Sequence, residues 1–158
     1  MPEIPSLGRR GGGWVALQFA LMAAVVIAAW LGPAWPGSVS TLLTVAGGLA
    51  AVAGVVLGLA SGRALGGALT PYPRPSGSGR LVERGPYRVV RHPIYSAGIL
   101  LFGGVATMLS PLALVPAAAL ALTWALKSAV EERFLLGHYP GYGSYTSRVR
   151  FRFVPYVY

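Results

Sequence analysis

The sequence has no cysteine, no aspartate and no asparagine, and its four acidic residues are all glutamates. Without thiols, disulfides, zinc–thiolate sites and cysteine nucleophiles are all excluded. The only histidines, His92 and His138, have no metal-binding spacing and no aspartate companion, so we expect no metal site. Ser96 follows His92 by one helical turn, but no Gly-x-Ser-x-Gly motif surrounds it, which argues against a serine hydrolase.

Charged residues are scarce as well. They make up 11% of the 158 residues, whereas hydrophobic residues make up 54%, far more than a soluble domain of this size carries. We therefore predict an all-α integral membrane protein with about four transmembrane helices, at residues 14–31, 39–60, 93–110 and 112–130. Residues 1–60 would form an N-terminal transmembrane hairpin, and residues 61–158 the catalytic and cofactor-binding region. The first run lacks an A-x-A-like cleavage site, so we expect a retained span and not a signal peptide.

The second predicted span carries small residues at every fourth position: Ala46, Ala50, Gly54, Gly58 and Gly62. Such a row lines one face of a helix and permits close approach of a neighbouring helix. A chain with 22 glycines also produces this spacing by chance. Either way, the role of these residues is architectural.

Nearly all of the positive charge lies outside the apolar runs. The formal charge is +9, from twelve arginines and one lysine, and the predicted loop 61–92 is rich in arginine. By the positive-inside rule this loop and both termini should be cytoplasmic, and we expect no nucleic-acid partner. Since arginine greatly outnumbers lysine and Ala and Gly abound, we expect a GC-rich prokaryotic source and the bacterial inner membrane as location.

The stretch from Gly85 to Tyr95, GPYRVVRHPIY, combines polar and aromatic residues directly before an apolar run. Pro93 suits the first position of a helix, so His92 should lie at the helix entrance. Pro111 should end this third span at Ser110 and begin a tight hairpin. The hairpin would bring Glu131, near the end of the fourth span, back to His92.

The last segment alternates tyrosines with arginines and contains glycines and prolines that preclude one long helix. This composition indicates that the chain after Glu132 forms an amphipathic cap on the membrane surface.

An ordered set of short motifs in the second half resembles the isoprenylcysteine carboxyl methyltransferase family and, in part, the related phospholipid methyltransferases. The set covers about residues 81–155 and resembles minimal prokaryotic members. Its parts are L-V-x-x-G-x-Y at Leu81 to Tyr87, R-H-P-x-Y at Arg91 to Tyr95, Glu131-Glu132-x-x-Leu135, Tyr142-x-x-Tyr145-x-x-Arg148-Val149 and a closing Pro155.

The resemblance implies a membrane enzyme that transfers a methyl group from S-adenosyl-L-methionine to a hydrophobic or lipid-like acceptor entering from the bilayer. The residues it implies for the cofactor are Leu81, Val82, Tyr87, His92, Pro93, Ile94, Tyr95 and Glu131. The family arginine that holds an acceptor carboxylate is replaced here by Lys127, a point charge without the bidentate fork of arginine. For the acceptor we predict Lys127, Tyr145 and Arg148.

The chemistry of the acceptor stays open between carboxylate, amine and thiol. A carboxylate would need only Lys127 as a counter-ion, whereas an amine would need a base, for which Glu132 or His92 are the candidates. We therefore predict Lys127 and Glu132 as catalytic residues. The alternatives are an NADPH-dependent membrane reductase, because sterol reductases carry a similar histidine and tyrosine arrangement, and a non-enzymatic membrane scaffold.

Overall fold

The computed structural model describes residues 4–75 and 80–155. Residues 1–3, 76–79 and 156–158, which include the middle of the predicted loop and the end of the predicted cap, lie outside the described residues. The described chain is all-helical, with helices α1 (Gly12–Leu31), α2 (Gly37–Leu65), α3 (Pro93–Leu109), α4 (Leu114–His138) and α5 (Tyr142–Arg148).

Three helical segments in the described ranges are long and apolar enough to cross a membrane: Gly12–Leu31, Gly37–Ala68 and Pro111–His138. The third predicted span, α3, is apolar but has only 17 residues. The prediction of an all-α membrane protein is confirmed, with α3 as the shorter companion of three full-length spans.

Helix α3 lies at the centre of the bundle. Helix α2 packs along one side of α3, whereas α1 packs against α4 and α3. The apolar core between α1, α3 and α4 is built from Val25, Ala106, Leu120 and Trp124, all buried. The division of the chain at residue 60 stays a prediction.

The hairpin between α3 and α4 forms where the sequence predicted it. Helix α3 ends at Leu109, and Ser110 takes an extended conformation (φ −157°, ψ 135°) before a short 3-10 turn, Pro111–Ala113. The hydroxyl of Ser110 accepts a hydrogen bond from the Leu112 amide (3.3 Å), which satisfies one of the unpaired amides at the start of the next helix. The hairpin is therefore short enough to hold α3 and α4 antiparallel.

Two helices continue beyond the ends of the predicted membrane spans. Helix α2 reaches Leu65 and α4 reaches His138, past residues 60 and 130. Charged residues such as Arg63 and Glu131 follow the predicted spans, but they do not break the helical hydrogen bonding. Helix α2 ends before Gly66, whose positive φ of 55° suits glycine. Helix α4 ends in the segment before Pro140.

The contact between α2 and α3 depends on glycine, and of the predicted row Gly54 and Gly58 face α3. A Cβ added at Gly104 would lie 2.5 Å from the Ala51 amide nitrogen, and one added at Gly54 would lie 2.5 Å from the Leu101 nitrogen. A Cβ added at Gly47 would also lie 2.5 Å from backbone atoms of α3, whereas Ala46 is exposed. Because a helix has 3.6 residues per turn, a strict four-residue row drifts off the contact face, and the real face alternates steps of three and four.

Gly104→Ala should loosen this contact. The added methyl group meets backbone atoms of α2 that cannot move independently, so we expect a loss of about 1–3 kcal/mol. Gly103→Ala is the matched control, because a Cβ there has nothing within 4 Å and alanine favours the helix. Thermal unfolding in detergent should show a lower midpoint for the first variant only, and equal midpoints would contradict the packing described.

Candidate functional site

The entrance of α3 is the centre of the site. Pro93 is the first residue of the helix and His92 precedes it, as predicted. His92 is buried, with 5% of its surface exposed, and its carbonyl accepts from the amides of Tyr95 (3.0 Å) and Ser96 (3.1 Å). These bonds hold the histidine at the helix end.

The chain after α5 returns across this entrance. The Arg91 amide donates to the Phe151 carbonyl (2.9 Å), and the His92 amide donates to the Arg152 carbonyl (2.9 Å). The Ser96 hydroxyl donates to the Phe153 carbonyl (2.6 Å). The predicted cap is therefore tied to the R-H-P-x-Y stretch through backbone groups.

Glu132 joins these segments electrostatically. Its carboxylate accepts from Arg91 Nε (2.8 Å), from Arg152 Nη2 (2.8 Å) and from His92 Nε2 (3.1 Å). Glu132 is 9% exposed, so its charge is balanced by direct partners and not by bulk water. We call Arg91, His92, Glu132 and Arg152 the Glu132 cluster.

Glu131, the preceding residue, has a different environment. It accepts a hydrogen bond from the Tyr95 hydroxyl (2.7 Å), and the Tyr95 ring stacks on His92 at 5.6 Å and on Trp124 at 6.1 Å between ring centroids. Because neighbouring side chains on a helix project about 100° apart, one glutamate enters the cluster while the other faces a cavity. Tyr95 fixes the orientation of Glu131.

Lys127 lies deeper in the bundle. Its surface is 1% exposed, and Nζ donates to Gln18 Oε1 of α1 and to the Pro71 carbonyl (2.7 Å). Gln18 Oε1 also accepts from Trp124 Nε1 (3.3 Å). Lys127 therefore links α4 to α1 and to the segment after α2.

A cavity with a volume of about 120 Å³ for water-sized molecules opens beside the helix entrance. The segments that surround it are the end of α2 with residues 68–75, the stretch 80–95, the end of α4 and the cap. Its lining mixes aliphatic side chains, tyrosines and the polar groups of Arg80, Arg91, His92 and Glu131.

Several cavity tyrosines belong to the cap or to the loop before α3. Burial raises the pKa of Tyr87, Tyr142 and Tyr145 above the ordinary value for a phenol, and nearby glutamates raise it further. All three hydroxyls therefore keep their protons near neutral pH and can donate hydrogen bonds. That of Tyr145 donates to the Tyr87 carbonyl (2.7 Å).

Most residues predicted for the cofactor come together in this cavity. Those that line it are Leu81, Val82, Tyr87, His92, Ile94, Tyr95, Glu131 and, from the predicted acceptor set, Tyr145. Pro93 is buried at the helix start and does not line the cavity.

The remaining predicted site residues lie elsewhere. Lys127 is bound to Gln18 and Pro71, and Glu132 is inside its cluster. Arg148 is an exposed residue that pairs with Glu83 at the surface. Their catalytic and acceptor-binding roles stay predictions.

Sequence reasoning missed one whole wall of the cavity. The end of α2 and the following segment contribute Leu65, Ala68, Leu69, Thr70, Tyr72, Pro73 and Pro75. This segment belongs to the predicted loop 61–92, and it carries no motif that indicates a site. Tyr139, Tyr142 and Leu135 were also missed, although the last two belong to the quoted motifs.

Comparison with known protein families shows the family to which the chain belongs. The sequence profile of the family described as phospholipid methyltransferase matches residues 42–141, well over half of the chain. The chain belongs to the phospholipid methyltransferase family. Comparison with curated proteins found no significant match.

Membership in the phospholipid methyltransferase family implies a membrane methyltransferase. The matched range runs from within α2 to the start of the cap, so it includes α3, α4 and most of the cavity wall. The family match and the cavity thus concern the same part of the molecule.

The Gln18 bond to Lys127 offers a test of the buried arrangement. Gln18→Leu leaves a buried ammonium and the indole N–H of Trp124 without their shared acceptor, so we expect a loss of about 3 kcal/mol. Adding Lys127→Met should restore part of this stability, because the unpaired charge is then gone. The midpoints of thermal unfolding of the single and double variants measure this coupling.

Leu17→Met, at a neighbouring exposed position on α1, is the control and should change the midpoint little. A Gln18→Leu variant as stable as the unmodified protein would contradict the buried link.

Proposed function

We propose that this protein is an S-adenosyl-L-methionine-dependent methyltransferase that acts on a hydrophobic or lipid-like acceptor at the cytoplasmic membrane face of a bacterial inner membrane. The observation that carries the proposal is the cavity at the entrance of α3, in a chain of the phospholipid methyltransferase family, with Glu131, His92 and several tyrosines in its wall.

The lining fits the chemistry of this cofactor. Glu131 can accept hydrogen bonds from an amino group or from ribose hydroxyls, and aromatic and aliphatic side chains such as Tyr87, Val82 and Leu135 suit a flat base. The buried hydroxyl of Tyr142 has no hydrogen-bond partner among the described residues and can donate one to a bound molecule. When bound, S-adenosyl-L-methionine supplies a methyl group on a sulfonium centre.

The role of the chain's own residues is mainly positioning. Methyl transfer by in-line displacement needs proximity and orientation, and no covalent intermediate on a side chain. Tyr95 holds the Glu131 carboxylate in place, and the Glu132 cluster holds His92 and the cap against the helix entrance.

The acceptor can reach the cavity from the bilayer. Leu65, Leu69 and Ile94, in the cavity wall, belong to the ends of apolar helices or to the segment next to them. An acyl or prenyl chain could stay in the apolar layer while its polar end enters the cavity. Lys127 Nζ uses two of its three N–H donors on Gln18 and Pro71, and the residue is 1% exposed, so an acceptor carboxylate could reach it only if the surrounding groups moved.

The orientation in the membrane is supported by the charge distribution. Arginines cluster at the cavity end of the bundle, where Arg74 donates to the Arg9 carbonyl, while the opposite turns at residues 32–36 and 110–113 carry no lysine or arginine. By the positive-inside rule the cavity then faces the cytoplasm.

Binding of S-adenosylhomocysteine tests the cofactor. Calorimetry on the detergent-solubilised protein should detect binding of this product and not of NADPH. Glu131→Gln should weaken it roughly tenfold to a hundredfold, because a charged acceptor in the cavity wall is lost, and His92→Ala should also weaken it. Glu83→Gln removes a surface carboxylate outside the cavity and should bind normally.

If both site variants bind as tightly as the unmodified protein, the assigned site is wrong. Binding of NADPH alone would favour the reductase, and binding of neither would favour the scaffold.

Incubation with labelled methyl donor and extracted bacterial lipids tests the acceptor class. We expect label in a lipid-extractable product, and roughly tenfold or more slower labelling when the Glu131→Gln variant replaces the protein at limiting donor. Label confined to water-soluble products would contradict a lipid-like acceptor.

A further inference from the structure

Tyr142 has a buried hydroxyl that the fold itself does not use. The residue begins α5, is 2% exposed and lines the cavity. Its hydroxyl makes no hydrogen bond within the part of the chain that the structure describes. A buried hydroxyl without a partner is destabilising, so its presence calls for a reason.

Packing explains why an aromatic ring lies at position 142, but it does not explain why that ring carries a hydroxyl. The ring belongs to an apolar cluster with Tyr145 and Val149, joined by Leu81 and Leu135, that holds the cap against α4. A phenylalanine would fill the same space without the cost of burying an oxygen. The hydroxyl is therefore surplus to the stability of the cap.

Tyr145 shows what a structural tyrosine looks like in the same cluster. It is equally buried, at 2%, and its ring lies 5.7 Å from that of Tyr142. Its hydroxyl, however, donates to the Tyr87 carbonyl and so ties the cap to the loop before α3. The two neighbouring tyrosines thus differ in one respect: only the Tyr145 hydroxyl makes a hydrogen bond among the described residues.

The surroundings of Tyr142 favour its hydroxyl as a hydrogen-bond donor. Burial and the nearby carboxylates of Glu132 and Glu131 raise the pKa of its hydroxyl, so the group stays protonated at neutral pH. An O–H in this position can bind an oxygen or a ring nitrogen of a molecule in the cavity. Tyr142 belongs to the cap, four residues beyond the last residue of α4.

We propose that the Tyr142 hydroxyl donates a hydrogen bond to the methyl donor bound in the cavity, as a cofactor-binding contact outside the set that the sequence motifs indicated. This inference rests on the proposed function. The cofactor carries ribose and carboxylate oxygens and ring nitrogens, any of which can accept such a bond.

Tyr142→Phe tests the proposal against Tyr145→Phe. The first variant should bind S-adenosylhomocysteine about threefold to tenfold more weakly, the loss of one neutral hydrogen bond, while its thermal midpoint without ligand stays equal or rises. The second should lower the midpoint without ligand, because it breaks the bond to Tyr87. The two variants thus separate a ligand contact from a structural contact.

Three results would overturn the inference. If the unmodified protein binds S-adenosylhomocysteine and Tyr142→Phe binds it equally tightly, the contact is ruled out and the proposed function is unaffected. A midpoint lowered as far as in Tyr145→Phe means that the hydroxyl is structural. A raised KM for the acceptor with unchanged affinity for S-adenosylhomocysteine assigns it to the acceptor instead. If the unmodified protein does not bind S-adenosylhomocysteine, the proposed function fails together with the inference.

Discussion

The carboxylate of Glu132 is the interaction on which the rest of the site depends. It lies near the membrane boundary, 9% exposed, and accepts from Arg91, His92 and Arg152 at once. A buried carboxylate of this kind is tolerated only when its partners are complete. The cluster therefore holds the entrance of α3, the end of α4 and the cap in a single arrangement, and the cavity lies beside that arrangement.

Packing in the apolar layer sets the geometry below the cluster. The glycines at the contact of α2 and α3 let the two backbones approach closely, and the Trp124 ring lies over Gly98 between α3 and α4. Since α3 has only 17 residues, its entrance stays near the surface layer while α4 continues past it. This difference in length creates the space in which Glu131 and the cap tyrosines face His92.

The sequence predicted the apolar spans, the start of α3 at Pro93, the break at Ser110 and eight of the twenty residues that line the cavity. These features depend on local chemistry, namely hydrophobicity, the fixed φ of proline and the order of short motifs. It did not predict the wall formed after α2, because nothing local distinguishes Tyr72 or Pro73 from residues of a surface linker. It also did not predict how far α2 and α4 continue past the membrane spans, since charge marks the edge of the membrane and not the end of a helix.

By itself, then, the sequence determined the class of the protein, the helix entrance and the set of residues available for the chemistry. Only the tertiary structure decided which of the adjacent residues Glu131 and Glu132 faces the cavity, because that depends on the rotation of α4 against α3. It likewise decided that Lys127 meets Gln18, 109 positions away. Hydrophobicity and turn chemistry are properties of neighbouring residues, whereas partners for a buried charge are supplied by whichever helix packs beside it.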